Sequence, residues 1–157
     1  DFYDKIHLFD VQLSQKDIYK ESQLFNRGNK VTILNTPWGK IGLTICYDLR
    51  FSKLYKDLVK KGVTMILVPA AFTMKTGKDH WEILLRSRAI ENSLYIFATA
   101  QCGNHHSNRK TYGHSMIVDP WGKVVTKAKS YPMVLNANID LSLIDKVRSK
   151  IPAYKYD

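Results

Sequence analysis

The sequence predicts an α/β domain in which helices cover a sheet, and three observations carry that expectation. Strand-like apolar runs alternate with amphipathic helix-like segments along most of the chain. The run 41–46 (IGLTIC) is apolar at nearly every position, the pattern of a central strand covered on both faces. Hydrophobic residues make up 45% of the 157, which is enough to bury a single core.

In order, residues 31–35 and 41–46 read as two strands, with Thr36, Pro37, Trp38, Gly39 and Lys40 forming the turn between them. Over residues 51–61, Phe51, Leu54, Tyr55, Leu58 and Val59 recur at three- and four-residue steps, which predicts an amphipathic helix closed by Gly62. Residues 65–69 read as a short buried strand and 73–79 as a polar loop. Residues 80–92 read as a second helix with Ile83, Leu84 and Ile90 on its inner side. Strands follow at 94–99, 115–119 and 134–139, the last two joined through Pro120, Trp121 and Gly122, and a final helix spans 141–150 before Pro152.

Composition excludes several function classes. The formal charge is +10, from 24 Lys and Arg against 14 Asp and Glu, but the cations are scattered as pairs and singletons, such as Lys60-Lys61 and Arg109-Lys110. No block of like charge, glycine-arginine repeat or zinc knuckle is present, so no nucleic-acid partner is expected. No run approaches the roughly 18 to 20 apolar residues that span a bilayer, and no membrane association is expected. Cys46 and Cys102 read as reduced thiols, which favours a cytoplasmic location, with a mitochondrial one as the alternative. Asp1 is not a methionine, and Ile6-His7-Leu8-Phe9 reads as the middle of a fold, so a further N-terminal segment is expected.

Cys46 ends the buried strand and runs toward a helix, where open α/β sheets place their ligands. A thiol at such a turn can be activated by a helix N-terminus and by nearby cations; equally, a cysteine there can be a small buried core residue. Cys102 with His105 and His106 offers metal-ligand types, but a structural zinc site needs four ligands and no second pair completes one. No metal and no cofactor are expected.

The company that Cys46 keeps adds a resemblance. Gly42, Cys46, Tyr47, Asp48, Arg50 and Phe51 match in register the G-x-x-x-C-Y-D-x-R-F nucleophile segment of the nitrilase superfamily of carbon–nitrogen hydrolases. Residues 3–10 (YDKIHLFD) resemble that family's lysine segment. His80-Trp81-Glu82, Arg86, Arg88-Ala89 and Glu91-Asn92 resemble its H-W-E-x-L-x-R-x-R-A-x-E-N helix. The resemblance implies a four-layer αββα sandwich, of which residues 1–157 would be the C-terminal part.

It also implies a chemistry. Cys46 would attack an amide or nitrile carbon, Lys5 and the backbone N–H of Tyr47 would stabilise the oxyanion, and ammonia or an amine would leave before water hydrolyses the thioester. The family's general-base glutamate lies well upstream of the lysine and is not in this sequence; about 100 further residues are expected, from the usual size of such domains. The chain alone is therefore expected to be inactive. Glu21 matches a second family glutamate that orders the site, Glu91 is expected to pair with an arginine, and Phe72, Thr73 and His80 are expected in the substrate pocket.

Residues 100–106 (AQCGNHH) and 112–122 (YGHSMIVDPWG) resemble the Nit branch, in particular amidases that hydrolyse deaminated glutathione. Sister ω-amidases, which act on 2-oxoglutaramate, share the lysine and cysteine segments but differ at 100–106. The resemblance further implies a homodimer, with residues 139–156 as an arm across the interface. Two other readings stay open at this point: ω-amidase activity, and a non-catalytic interaction domain of the same fold.

Overall fold

A computed structural model of the chain describes residues 1–15, 17–106 and 109–155. In chain order it forms β1 (Asp10–Gln12), β2 (Ile18–Lys20), β3 (Thr32–Thr36), β4 (Gly39–Leu43), α1 (Ser52–Lys60), β5 (Val63–Ala70) and α2 (Met74–Asn92). It continues with β6 (Tyr95–Ala100), β7 (Cys102–Asn104), β8 (Lys110–Tyr112), β9 (Met116–Val118), β10 (Val124–Lys127) and α3 (Ser142–Lys150). Six strands make the central sheet in the order β10-β9-β6-β5-β4-β3. The inner strands β4, β5 and β6 are parallel, and α1 and α2 make the two crossovers between them.

Alternation along the strands sorts the core onto two faces. Ile66, Val68, Ile96, Ala98, Met116 and Val118 meet Leu54, Tyr55 and Leu58 of α1 and Trp81, Leu85 and Ala89 of α2. Each of the large apolar side chains fully buried there contributes ~1.5–3 kcal/mol. On the opposite face Met65 and Tyr95 pack with Ile144 of α3, with Ile41, Phe97 and Ile117 partly covered around them. Arg88 is buried inside the helical layer: its Nε donates to Leu49 O at 3.0 Å, its guanidinium lies over the Tyr55 ring, and Nη1 pairs with Glu91.

Three expectations need correction. α2 begins at Met74, where 73–79 reads as loop, because the buried Thr73 side chain caps it by accepting from Thr76 N–H. Gly77 is what obscures this start, since it lowers helix propensity while the packing requires it. A Cβ at Gly77 would lie 2.3 Å from Tyr112 Cβ. Gly77→Ala should therefore destabilise the fold by about 1–3 kcal/mol, read as a lower midpoint in urea unfolding, although alanine is the better helix former.

The inner face of α2 is set by Trp81, Leu85, Arg88 and Ala89, and this turns Ile83 (66% exposed) and Ile90 (52%) outward, so only Leu84 of the three expected residues packs against the core. Residues 134–139 form no strand. β9 pairs instead with β10, which follows the Gly122 turn directly, and Val134 is 82% exposed. In the C-terminal segment Ile139, Leu141 and Leu143 pack with Ile144, and Tyr154 packs against the main core. Tyr156, the end of the expected arm, lies outside the described residues.

Candidate active site

The chain leaves β4 under firm control. Thr44 N–H and Oγ1 both bond to Leu67 O of β5, at 3.2 and 3.0 Å. Ile45 stays extended, and Cys46 then turns sharply at a φ of 49°, the left-handed region that a residue with a side chain occupies at a cost. A 3-10 turn, Cys46–Arg50, follows and leads into α1 at Ser52, within the 51–61 range expected for that helix. Asp48 N–H is the amide that closes this turn, onto Ile45 O at 3.0 Å, so Tyr47 N–H precedes the first closed ring.

Burial pushes the Cys46 thiol above its ordinary pKa, against a hydrogen bond from Ala71 N–H and the charges of Lys5 and Arg109, which favour the thiolate; Glu21 acts with burial. The thiolate is the reactive form. Alkylation of Cys46 in this chain by iodoacetamide should therefore be slow at neutral pH and should rise with a midpoint above the ~8.5 of a free thiol. A rate profile with its midpoint below that value would contradict the burial argument.

Lys5 lies on the segment before β1, its side chain only 11% exposed, and its Nζ is 2.5 Å from Glu21 Oε2. The same carboxylate oxygen accepts Phe9 N–H at 2.6 Å, and Gly28 N–H donates to Lys5 O at 2.8 Å. Glu21 thus fixes the lysine in position.

Asp48 joins the lysine segment to the cysteine turn. Its carboxylate is fully buried; Oδ1 accepts His7 N–H at 3.0 Å and lies 2.7 Å from His7 Nδ1, while Oδ2 accepts Tyr3 O–H and Ile45 N–H, both at 2.8 Å. Tyr3 is pushed far above the usual phenol pKa, first by burial and then by the Asp48 charge, so it remains a donor. His7 stacks flat on Phe51, ring centroids 3.6 Å apart, and Tyr47 meets Phe9 and Phe51 edge-on. Residues 3–9 are therefore clamped against 45–51 by one carboxylate and a group of rings.

These groups open on a cleft of about 910 Å³ that Lys5, Glu21, Cys46, Tyr47, Phe72 and Thr73 all line. A family model described as carbon-nitrogen hydrolase matches residues 1–149. The chain belongs to the carbon–nitrogen hydrolase family. A deaminated glutathione amidase of Yersinia enterocolitica is 45% identical over 99% of this chain and 54% of its own length. Among solved structures, the NitFhit protein of C. elegans superposes with a TM-score of 0.88 at 43% identity, over 99% of this chain and 38% of that one. Saccharomyces cerevisiae Nit3, a member of branch 10 of the nitrilase superfamily, does so at 0.83 and 36% identity, over 94% and 51%. This carbon–nitrogen hydrolase chain spans about half the length of the curated relatives it matches. Of the four-layer architecture it presents the six-stranded sheet and the two-helix layer that covers it, with α3 on the other face and two small two-stranded sheets, β1-β2 and β7-β8, besides.

Within this carbon–nitrogen hydrolase chain, His80 is the site residue misplaced by sequence. It is exposed on α2 and does not line the cleft; its Nδ1 sits 3.2 Å from Arg50 Nη2, and Arg50 is the residue that reaches the wall, over the Tyr47 and Phe72 rings. The earlier start of α2 explains this, because it places Thr73 and Thr76 at the cleft and carries His80 a turn and more beyond it. Of residues 100–106, Ala100 and Gln101 line the cleft, while Cys102 and His105 border a smaller adjoining pocket and His105 Nε2 bonds Thr111 Oγ1. Among the described residues no group of three His, Cys, Asp or Glu could hold a metal. No described helix is long and apolar enough to cross a membrane. Sequence reasoning gave no role to Asp48 or Arg109: Asp48 and His7 stand in the two family segments, but a single sequence does not reveal that they bond each other.

Proposed function

We propose that this chain carries the nucleophile of a thiol-dependent amidase that hydrolyses a linear carboxamide, with deaminated glutathione as the substrate. The observation that carries the reading is the convergence of Cys46 and the Glu21-held Lys5 on one cleft, in a chain 45% identical to a deaminated glutathione amidase. Cys46 Sγ attacks the amide carbon, and the carbonyl oxygen takes up the negative charge between Lys5 Nζ and the N–H of Tyr47. Collapse expels the amine with a proton, leaving an acyl-thioester that water hydrolyses. Glu21 is committed to Lys5 and to Phe9 N–H, so it serves as a positioning group. The thiol proton goes to the further glutamate that the family resemblance places upstream of the lysine.

The assembly goes with this reading as a homodimer, supported by the outward-facing Ile83 and Ile90 on α2. The reaction takes place in the cytoplasm. The test is formation of 2-oxoglutarate by the full-length protein from deaminated glutathione and, in parallel, from 2-oxoglutaramate. A kcat/KM higher for the glutathione derivative supports the reading. A preference for 2-oxoglutaramate transfers it to the ω-amidases, and turnover of neither removes it.

A further inference from the structure

The cleft is lined by four cations, Lys5, Lys20, Arg50 and Arg109, against the single carboxylate of Glu21. Lys5 pairs with Glu21, Arg50 lies against His80 and two rings, and Lys20 adds to the influences that hold the Asp10 carboxyl below its usual range. Arg109 has no carboxylate partner among the described residues; its guanidinium lies 5.7 Å from the Tyr19 ring centroid, on the cleft wall.

The β7–β8 hairpin that bears Arg109 is braced from both sides. His105 N–H donates to Arg109 O at 2.7 Å, Thr73 forms a bridge with Thr111, and Tyr112 N–H donates to Phe72 O at 3.0 Å. Tyr112 also fills the space that Gly77 leaves open on α2. Arg109 therefore stands on a fixed frame tied to the same Phe72–Thr73 wall that flanks Cys46, and its positive charge is felt at the Cys46 sulfur.

We propose that Arg109 is the anchor for a carboxylate on the substrate, so that the site selects carboxamides bearing a negative charge several bonds from the scissile carbonyl. A planar guanidinium with two parallel N–H groups takes a carboxylate in a forked pair, and Tyr19 beneath it restricts the orientation. The cleft, at about 910 Å³, has room for such an extended molecule beyond what a simple amide fills. The inference deepens the amidase reading and rests on it for the scissile bond, but the anion site itself can be tested by binding alone.

The experiment measures, by calorimetry on full-length protein carrying Cys46→Ala so that nothing turns over, the affinity for deaminated glutathione and for its fully esterified counterpart. Adding Arg109→Gln should weaken the acid by about 10- to 100-fold, the range for a lost charged hydrogen bond, and leave the ester within about twofold. Arg109→Lys should recover part of the difference. Equal affinities for acid and ester, or an Arg109→Gln effect of the same size on both, overturns the anchor. Failure of the amidase reading is seen separately, as absence of 2-oxoglutarate from the protein with Cys46 intact.

Discussion

Cys46→Ala in the full-length protein should abolish hydrolysis of deaminated glutathione, with kcat falling by about five orders of magnitude or more, to the residual that binding and oxyanion donors alone supply. No neighbouring group in the cleft can replace the thiol. Lys5 is engaged in its ion pair with Glu21, and the remaining lining residues are cations, amides, hydroxyls, hydrocarbon and the Met133 thioether. The loss should be chemical and not structural. Cys46 lines the cleft at a strained turn, so removing its sulfur costs about 1 kcal/mol of packing at most, partly offset by loss of a buried titratable group. Circular dichroism and urea unfolding of the variant should match the parent. Turnover within a hundredfold of the parent enzyme would mean that another group attacks the carbonyl.

Asp48→Asn should be almost as damaging, by a different route. Both carboxylate oxygens receive donors: His7 N–H and the His7 ring at one, Tyr3 O–H and Ile45 N–H at the other. An asparagine must present its NH₂ group to one of these pairs whichever way it is turned, leaving buried donors facing a donor. The expected cost is about 2–4 kcal/mol of stability, at the scale of breaking a buried hydrogen-bonded charge network. Since Tyr3 and His7 flank Lys5, and Ile45 precedes Cys46, the two family segments should also lose their register, and kcat should fall by about 100-fold or more in the fraction that remains folded. Urea unfolding and initial rates, taken at a temperature where the variant is folded, separate the two effects. An Asp48→Asn variant with the parent's midpoint and rate would show that the clamp is incidental.

The elements that sequence revealed well are those in which one physical signal dominates. The three- and four-residue spacing from Leu54 to Val59 became the amphipathic helix it implied, and the apolar run 41–46 supplied the inner strand β4, although that strand ends at Leu43 and is only partly covered. The start of α2 was hidden because Gly77 and Thr76 are poor helix formers, and only the approach of Tyr112 explains why a glycine must stand there. Ile83 and Ile90 misled because hydrophobicity says nothing of which face turns inward; Trp81 and the buried Arg88 decide that. The missing strand at 134–139 was a competition for the β9 edge that β10, nearer in sequence, takes.

The site divides the same way. Cys46, Lys5 and Glu21 were legible as members of matching segments, and the cleft brings them together. Asp48 and Arg109 act through contacts between segments 45 and 90 residues apart, along Tyr3–Asp48 and Tyr19–Arg109, and no local pattern encodes such a pairing. His80 was drawn into the pocket by proximity in sequence to Thr73, which a helix then carries away from it.

The central claim, that Cys46 is the nucleophile, is met most directly by trapping the intermediate. Full-length protein mixed with deaminated glutathione and quenched in acid within the first turnover should carry a 2-oxoglutaryl group as a thioester. Peptide mass spectrometry should place it on the segment containing Cys46, and neutral hydroxylamine should remove it. Turnover without any adduct on that segment, or an adduct on Cys102 instead, would contradict the account.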